Sequence, residues 1–484
     1  MRPLSDYPRL RSAIVMATMG MALLYVQAAR AMEPELRYTL SDSLDFGSLE
    51  DMVSATDALR QHQTAPLDTS VKPAAYVTSG RSYRSGRTQI GYDDGFVIAS
   101  PGRMQLDTAS PLYVLRLNGW GQLRHATLNS QGPNPDVNQF QLKRARLVFS
   151  GHAYTTDFAY YVQLDGRSSS GDDVRLLDYL LTYDLGHHLW DWQKGALVFK
   201  TGKYKMPFTM ARYLSGREFE FADRALASTF FDVNRSLAWG LSGARSDVAV
   251  PWNWEIAIFN GLVTGGAETG SSGALDDNFA YSGRVFAYPI GEWGLGQLAD
   301  LEWHDDLAVR SGMAFAHSTI DASGATEFSS LRVVDAGVTL ASLLPMSVGR
   351  YTVNLYSVDS SFKWRGWSGT LEYYLRSVDE FDSPGLDSLF DHGLWFQLGK
   401  FVLAEKLQLL ARWSRVTGDS GTLGVQAQSS EEIAAGAVWY FRGQNAKLTV
   451  DATYLDGAPI SSSALDISPG DAGWLFRSQV QFAF

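Results

Sequence analysis

WLFRSQVQFAF, residues 474–484, alternates apolar and polar side chains up to a terminal aromatic. Trp474, Phe476, Val480, Phe482 and Phe484 fall on one face, and Arg477, Gln479 and Gln481 on the other. A period of two is the strand period, so the segment reads as a β-strand with one apolar and one wet side. No polar tail follows Phe484, and similar segments recur through the preceding chain. Repeated strands of this kind describe a closed barrel in lipid, apolar outside and polar within.

Working back from the terminus, residues 447–454 set Leu448, Val450, Ala452 and Tyr454 against Lys447, Thr449, Asp451 and Thr453. Residues 369–376 set Leu371, Tyr373 and Leu375 against Glu372, Tyr374 and Arg376. Trp254, Ile256 and Ile258 oppose Asn253 and Glu255, and Phe158, Tyr160, Val162 and Leu164 oppose Tyr161, Gln163 and Asp165. By the same parity Leu177, Tyr179, Leu181 and Tyr183 face lipid, while Asp178, Thr182 and Asp184 face inward. Each segment suits a tilted strand crossing the hydrocarbon, which takes roughly nine to eleven residues. Short turns alternate with long Gly/Ser/Asp-rich loops such as 261–278, 377–391 and 418–430. That asymmetry belongs to outer-membrane barrels. Seventeen candidate segments begin near residue 112, the weakest being 331–340. A single-chain bacterial barrel has an even strand number, so the expectation is all-β with sixteen antiparallel transmembrane strands. A barrel of that size has room for an aqueous channel.

The other end of the chain gives the compartment. Arg2, Arg9 and Arg11 precede the apolar run 13–26, and Ala29-Arg30-Ala31 supplies a small-x-small cleavage pattern. Residues 1–31 therefore read as a secretory signal, too short in its apolar run to span a membrane. Residues 32–90 read as a periplasmic segment with a short amphipathic helix over 48–62 and a polar linker, and 91–484 as the barrel. Without cysteine there is no disulfide, Cys-based metal site or thiol nucleophile. The formal charge is −11, and because residues 1–31 hold four Arg and one Asp, the remainder carries −14. Such a balance argues against nucleic acid as a partner.

Several segments, taken in order, resemble the phosphate-selective porins O and P of Gram-negative outer membranes. They are GYDDGFVIAS (91–100), LYVLRLNGWGQLRH (112–125), FQLKRARLVFSG (140–151), TGKYKMPF (201–208), AWGLSG (238–243), VWYF (438–441) and the closing WLFRSQVQFAF. The resemblance covers 91–484. It implies a sixteen-stranded barrel in outer-membrane lipid, usually a homotrimer, with the third extracellular loop folded into the lumen. It also implies that the last strand, with Phe476, Val480, Phe482 and Phe484, is read by the outer-membrane assembly machinery. The implied activity is passive diffusion of small hydrophilic solutes, anions such as phosphate among them, with no cofactor and no catalysis.

Parity then selects the lumen side. In 112–125, Leu115, Leu117 and Leu123 take lipid, leaving Arg116, Asn118, Gln122 and Arg124 inside. In 140–151, Arg144 and Arg146 point inward, whereas Lys143 falls on the outer register unless a bulge intervenes. The basic pair of the family on this strand matches Lys143 and Arg144. Arg284, Arg310, Arg376 and Arg412 are further inward candidates. Guanidinium groups suit an oxyanion path, since they stay charged and offer forked donors in place of lost hydration. Asp165, Asp178, Asp184, Glu255, Glu372 and Asp451 also point inward, so a general, non-selective pore of mixed charge is the alternative. The segment 206–237 is the expected inward loop; it interleaves Arg212, Arg217, Arg224 and Arg235 with Glu218, Glu220, Asp223 and Asp232. This pattern favours internal ion pairs over a purely basic constriction.

Other chemistry is weakly supported. His187-His188 reads as a solvated turn, and Asp172-Asp173 and Asp305-Asp306 lack calcium-loop spacing. There is no nucleophile elbow, zinc-binding HExxH or phosphate-cradling loop. A barrel enzyme or adhesin would need a rim constellation or surface module, and an energised receptor would need a plug domain and more strands.

Overall fold

The structure is a computed structural model that describes residues 83–484 except 86–87, 94, 101–111, 167–173, 265–275, 324, 335–337, 419–428 and 464. The expected signal segment and the helix over 48–62 lie outside the described residues. Three short strands come first: β1 (Tyr83–Ser85), β2 (Thr88–Tyr92) and β3 (Phe96–Ala99). The wall then opens with β4 (Val114–Ser130), β5 (Val137–His152), β6 (Phe158–Gly166) and β7 (Val174–Asp184). Next come β8 (Val198–Lys205), β9 (Arg235–Arg245), β10 (Trp252–Asn260) and β11 (Phe279–Ile290). The second half holds β12 (Ala308–Asp321), β13 (Arg350–Trp364), β14 (Trp367–Asp379) and β15 (Leu389–Leu403). It ends with β16 (Leu407–Thr417), β17 (Ser429–Arg442), β18 (Ala446–Asp456) and β19 (Gly473–Ala483).

Every consecutive pair from β4 to β19 is antiparallel, and β19 returns to β4, with Gly473 opposite Ser130 and Ala483 opposite Trp120. The expected sixteen-strand barrel is therefore closed. Closure follows from the absence of water in the bilayer, where an unpaired strand edge would leave its amides unsatisfied. The weakest sequence segment, 331–340, is no strand: it holds an isolated bridge between Arg332 and Thr339 before a short 3₁₀ turn, Leu340–Ser342.

Side-chain direction follows the alternation. In β19, Trp474, Phe476, Val480, Phe482 and Phe484 face outward, while Arg477, Gln479 and Gln481 are buried inside. Five register shifts interrupt the described wall, and two of them turn a side chain against the expected parity. Leu177 was expected to face lipid but is fully buried, because the β6–β7 register shifts there: Gln163 opposes Asp178 whereas Leu164 opposes Leu176. The β4–β5 register shifts likewise, Gln122 opposing Arg144 and Leu123 opposing Leu142. Lys143 is the extra residue, and the bulge turns it inward beside Arg144.

Connections at one rim are long (206–234, 261–278, 322–349, 457–472) and at the other mostly short (365–366, 404–406, 443–445). The long rim is the extracellular one by the rule for these barrels. At the periplasmic foot, β3 pairs with Val114–Leu117 of β4, directly below the end of β19. The Phe484 ring packs over Gly119, where a Cβ would come within 2.9 Å of it, and lies 6.2 Å from the Phe96 ring.

The core lies inside the barrel. The loop 206–234 enters the lumen with two short helices, α2 (Met210–Tyr213) and α3 (Leu226–Phe231), following α1 (Leu185–Trp190) at the periplasmic rim. Phe208, Met210, Leu226, Phe230 and Phe231 of this loop are fully buried against inward wall residues such as Tyr351, Leu355, Tyr374 and Trp395. The lumen thus holds an apolar core as well as charges, instead of the uniformly wet face that strand parity suggests.

Candidate functional site: the basic lumen

The bulge on β5 organises the first cluster. Arg144 Nη2 donates to Asp223 at 2.9 Å, and Arg124 of β4 reaches the same carboxylate at 3.0 Å. Arg124 also pairs with Asp466 at 2.8 Å, and Lys143 donates to Asp466 and to the Ser463 carbonyl. Three wall cations therefore clasp two carboxylates, one from the loop 206–234 and one from the extracellular connection 457–472. Burial would raise the Asp223 carboxyl, but Arg144, Arg124, Arg224 and Lys143 outweigh it and hold it well below the usual carboxylate range. Asp223 is thus an anion that anchors the loop to the wall.

The other cations of the segment 206–237, Arg235 at the start of β9 among them, are also engaged. Arg212 forms an ion pair with Asp232, and Arg235 grips Asp178 through two bonds of 2.7 and 3.1 Å. Arg224 donates to the carbonyls of Ala211 and Leu214, with its guanidinium 4.4 Å from the Phe219 ring. Arg217 is only partly buried, and its carbonyl accepts from Lys447 and Gln481. Glu220 accepts from Ser368, Gln397 and Gln408 on the opposite wall. Arg146 sits over Trp120 at 4.9 Å and donates to Asp165 at 3.4 Å. Between this wall and the loop lies a cavity of about 20 Å³ lined by Arg146, Gln163, Asp178, Lys205, Ser215 and Arg235, among others. It has room for about one water.

On the far wall, Arg376 donates to Asp391 at 2.8 Å and Arg412 to Glu432 at 2.7 Å. Arg284 bonds the Phe208 carbonyl and pairs with Asp359 across Gly312, where a Cβ would lie 2.8 Å from Arg284 Nη2. Arg310 is different: it is fully buried, none of its three nitrogens has a hydrogen-bond partner among the described residues, and its guanidinium lies 5.1 Å from the Trp293 ring. Arg116 is separate from all of these, at the periplasmic foot, bonded to Asp93 at 2.8 Å.

Arg124, Arg144, Arg284, Arg310, Arg376 and Arg412 are buried inside the wall, and parity passed over Lys363 and Asp466. Parity along β13 would have found Lys363; Asp466 lies in a loop, where no period exists to mark it. His187 and His188 lie in α1 and not in a bare turn, with His187 Nδ1 2.7 Å from Asp157. Asp172-Asp173 falls outside the described residues.

Residues 120–287 match the family model of the phosphate-selective porins O and P. The match runs from β4 into β11 and takes in the Lys143–Arg144 bulge and the whole inward loop. This match and the closed sixteen-strand barrel together support an outer-membrane porin channel. No curated protein matches the sequence. Among solved structures, the outer-membrane-expressed OmpT of Vibrio cholerae is 10% identical, with 78% of this chain and 99% of that one covered at a TM-score of 0.49. An anion-selective porin from Comamonas acidovorans is 10% identical over 76% of this chain and 99% of that one, TM-score 0.49. The channel DcaP of Acinetobacter baumannii is 10% identical over 77% and 97%, TM-score 0.47.

Proposed function

We propose that this porin passes small anions, phosphate among them, past a constriction formed by the loop 206–234. The observation that carries the reading is the cluster on the wall beside that loop, where the three cations Arg146, Lys205 and Arg235 stand against two carboxylates, Asp165 and Asp178. A passing anion meets an excess of donors there, and a cation meets like charge. The non-selective reading draws on the pairing of Arg376 and Arg412 with carboxylates, which removes those charges from the path. Planar-bilayer recording under a potassium chloride gradient separates the two: a reversal potential on the chloride side supports anion preference, and one near zero or on the potassium side refutes it. Absence of open-channel steps would sink the channel itself. A homotrimer, and reading of Phe476, Val480, Phe482 and Phe484 by the assembly machinery, are further parts of this proposal; they rest on the family. A native gel showing only monomer, or unchanged barrel assembly in Phe484→Ala, would remove them.

A further inference from the structure

The periplasmic connection 291–307 (GEWGLGQLADLEWHDDL) joins β11 to β12 and is far longer than most of its neighbours on that rim. It does not project into the periplasm. Trp293, Gln297, Leu298, Ala299 and Asp300 are buried, and Ala299 belongs to the same apolar cluster as Phe221 from the inward loop, together with Phe401 and Tyr440 of the wall. The segment that enters from outside and the one that enters from below therefore meet in the lumen.

The attachment of this connection is specific. Lys363 of β13 donates to the carbonyls of Trp293 and Leu295 at 3.1 and 2.9 Å, and its Nζ lies 4.7 Å from the Trp293 ring. Arg310 lies near the same ring, as described above. One aromatic face thus serves two buried cations, of which Lys363 also pairs with Glu302 of the same connection at 3.6 Å. Asp300 accepts from the Gly366 amide of the β13–β14 turn at 2.7 Å and from His304, fastening the far end of the connection. The polar bookkeeping at Trp293 is incomplete, however: Trp293 Nε1 and all three Arg310 nitrogens are buried without a hydrogen-bond partner among the described residues. The neighbouring carboxylate, Asp359, is engaged by Arg284 through one oxygen, and its other oxygen is buried without a hydrogen-bond partner among the described residues. A buried guanidinium with no hydrogen-bonded anion is unfavourable, and a ring quadrupole only partly compensates it.

We propose that the connection 291–307 is a displaceable gate on the periplasmic mouth, and that Trp293 covers an anion site formed by Arg310 and Lys363. With Trp293 withdrawn, the three free edges of the guanidinium and the ammonium of Lys363 present forked donors that suit a phosphate-sized oxyanion. The anion replaces the ring as counter-charge, so its arrival favours the open arrangement; a ligand shifts a two-state element through such differential affinity. The gate rests on the channel reading above and adds a second constriction to it, below the loop 206–234.

The test uses the full-length protein in planar bilayers, with wild type, Trp293→Ala, the double variant Trp293→Ala/Arg310→Gln, and Asp223→Asn as a variant of the inward loop. Heat-modifiable gel migration establishes that each barrel is folded. Trp293→Ala is expected to raise the chloride conductance severalfold over wild type. Inorganic phosphate should block the Trp293→Ala current, and the double variant should need about tenfold more phosphate, the loss that follows from removing one charged hydrogen-bonding partner. A folded Trp293→Ala channel that conducts like wild type overturns the gate. Equal phosphate block in the single and double variants overturns the anion site. If wild type and Asp223→Asn also show no steps, the channel reading fails together with the gate, whereas conduction by those two with an unresponsive Trp293→Ala condemns the gate alone.

Discussion

At the scale of the residue, a one-residue shift in register decides which charges face the lumen. Lys143 occupies the bulge on β5, and strand parity assigned it to lipid; only the family resemblance placed it beside Arg144. Leu177 shows the same blindness for an apolar side chain, expected against lipid and turned inward by a bulge. A bulge changes backbone pairing without altering the side-chain pattern by which strands are read, so neither position was legible from periodicity. Gly312 is a plainer case, since its missing side chain leaves the room that Arg284 and Asp359 fill. Asp223 concentrates the largest effect. Asp223→Asn removes the shared partner of Arg124 and Arg144, and loss of one side of a buried pair is worth about 3–5 kcal/mol. The inward loop should loosen, the single-channel conductance should rise, and the reversal potential should move further toward chloride. An unchanged conductance would show that Asp223 does not hold the loop.

At the scale of the element, strands were legible and inserted segments were not. The terminal strand β19 has the outward and inward faces that its alternation gives, whereas 206–234 and 291–307 pack by shape and charge without any period. A third inserted element is the helix α4 (Ala325–Ser330), in the extracellular connection 322–349. Its Glu327 is buried and accepts from the Leu262 amide and the Ser318 hydroxyl. Burial, with the nearby Asp276 charge adding to it, pushes the Glu327 carboxyl up to about 7, the two bonds only partly opposing this. The folded state therefore binds a proton that the unfolded segment releases at lower pH. Its stability should be highest below the ordinary glutamate value and should fall as pH rises toward about 7. Proteolysis of the connection 322–349 at fixed temperature should accelerate from pH 5 to pH 8 in the wild type. Glu327→Gln should flatten that profile, and a variant with the wild-type slope would exclude Glu327 as the cause.

For the whole molecule, the formal charge of −11 says nothing of what the lumen prefers, because the charges that matter are the few beside the constriction. Those charges are partly screened by mobile ions. The Debye length falls from about 10 Å at 0.1 M salt to about 3 Å at 1 M, so anion preference should weaken steadily over that range. A selectivity that stays constant with salt would point to a steric filter in place of an electrostatic one. Strand number and closure were legible because lipid forces every strand to alternate and every edge to pair. The packed interior was not, since nothing in the strand pattern reports what a loop does after leaving the membrane.

The seam between β4 and β19 joins the two ends of the barrel wall, and Gln122 donates to Gln481 across it at 2.7 Å. The inward loop is bonded to both sides of that seam: Gln122 donates to the Gly216 carbonyl and Gln481 to the Arg217 carbonyl. Contacts of such long sequence separation form slowly, after the local hairpins are in place. Closing the wall and seating the loop are therefore coupled: the full set of bonds exists only when the loop and the last strand are both in place, so two glutamines join the closure of the barrel to the narrowing of its lumen.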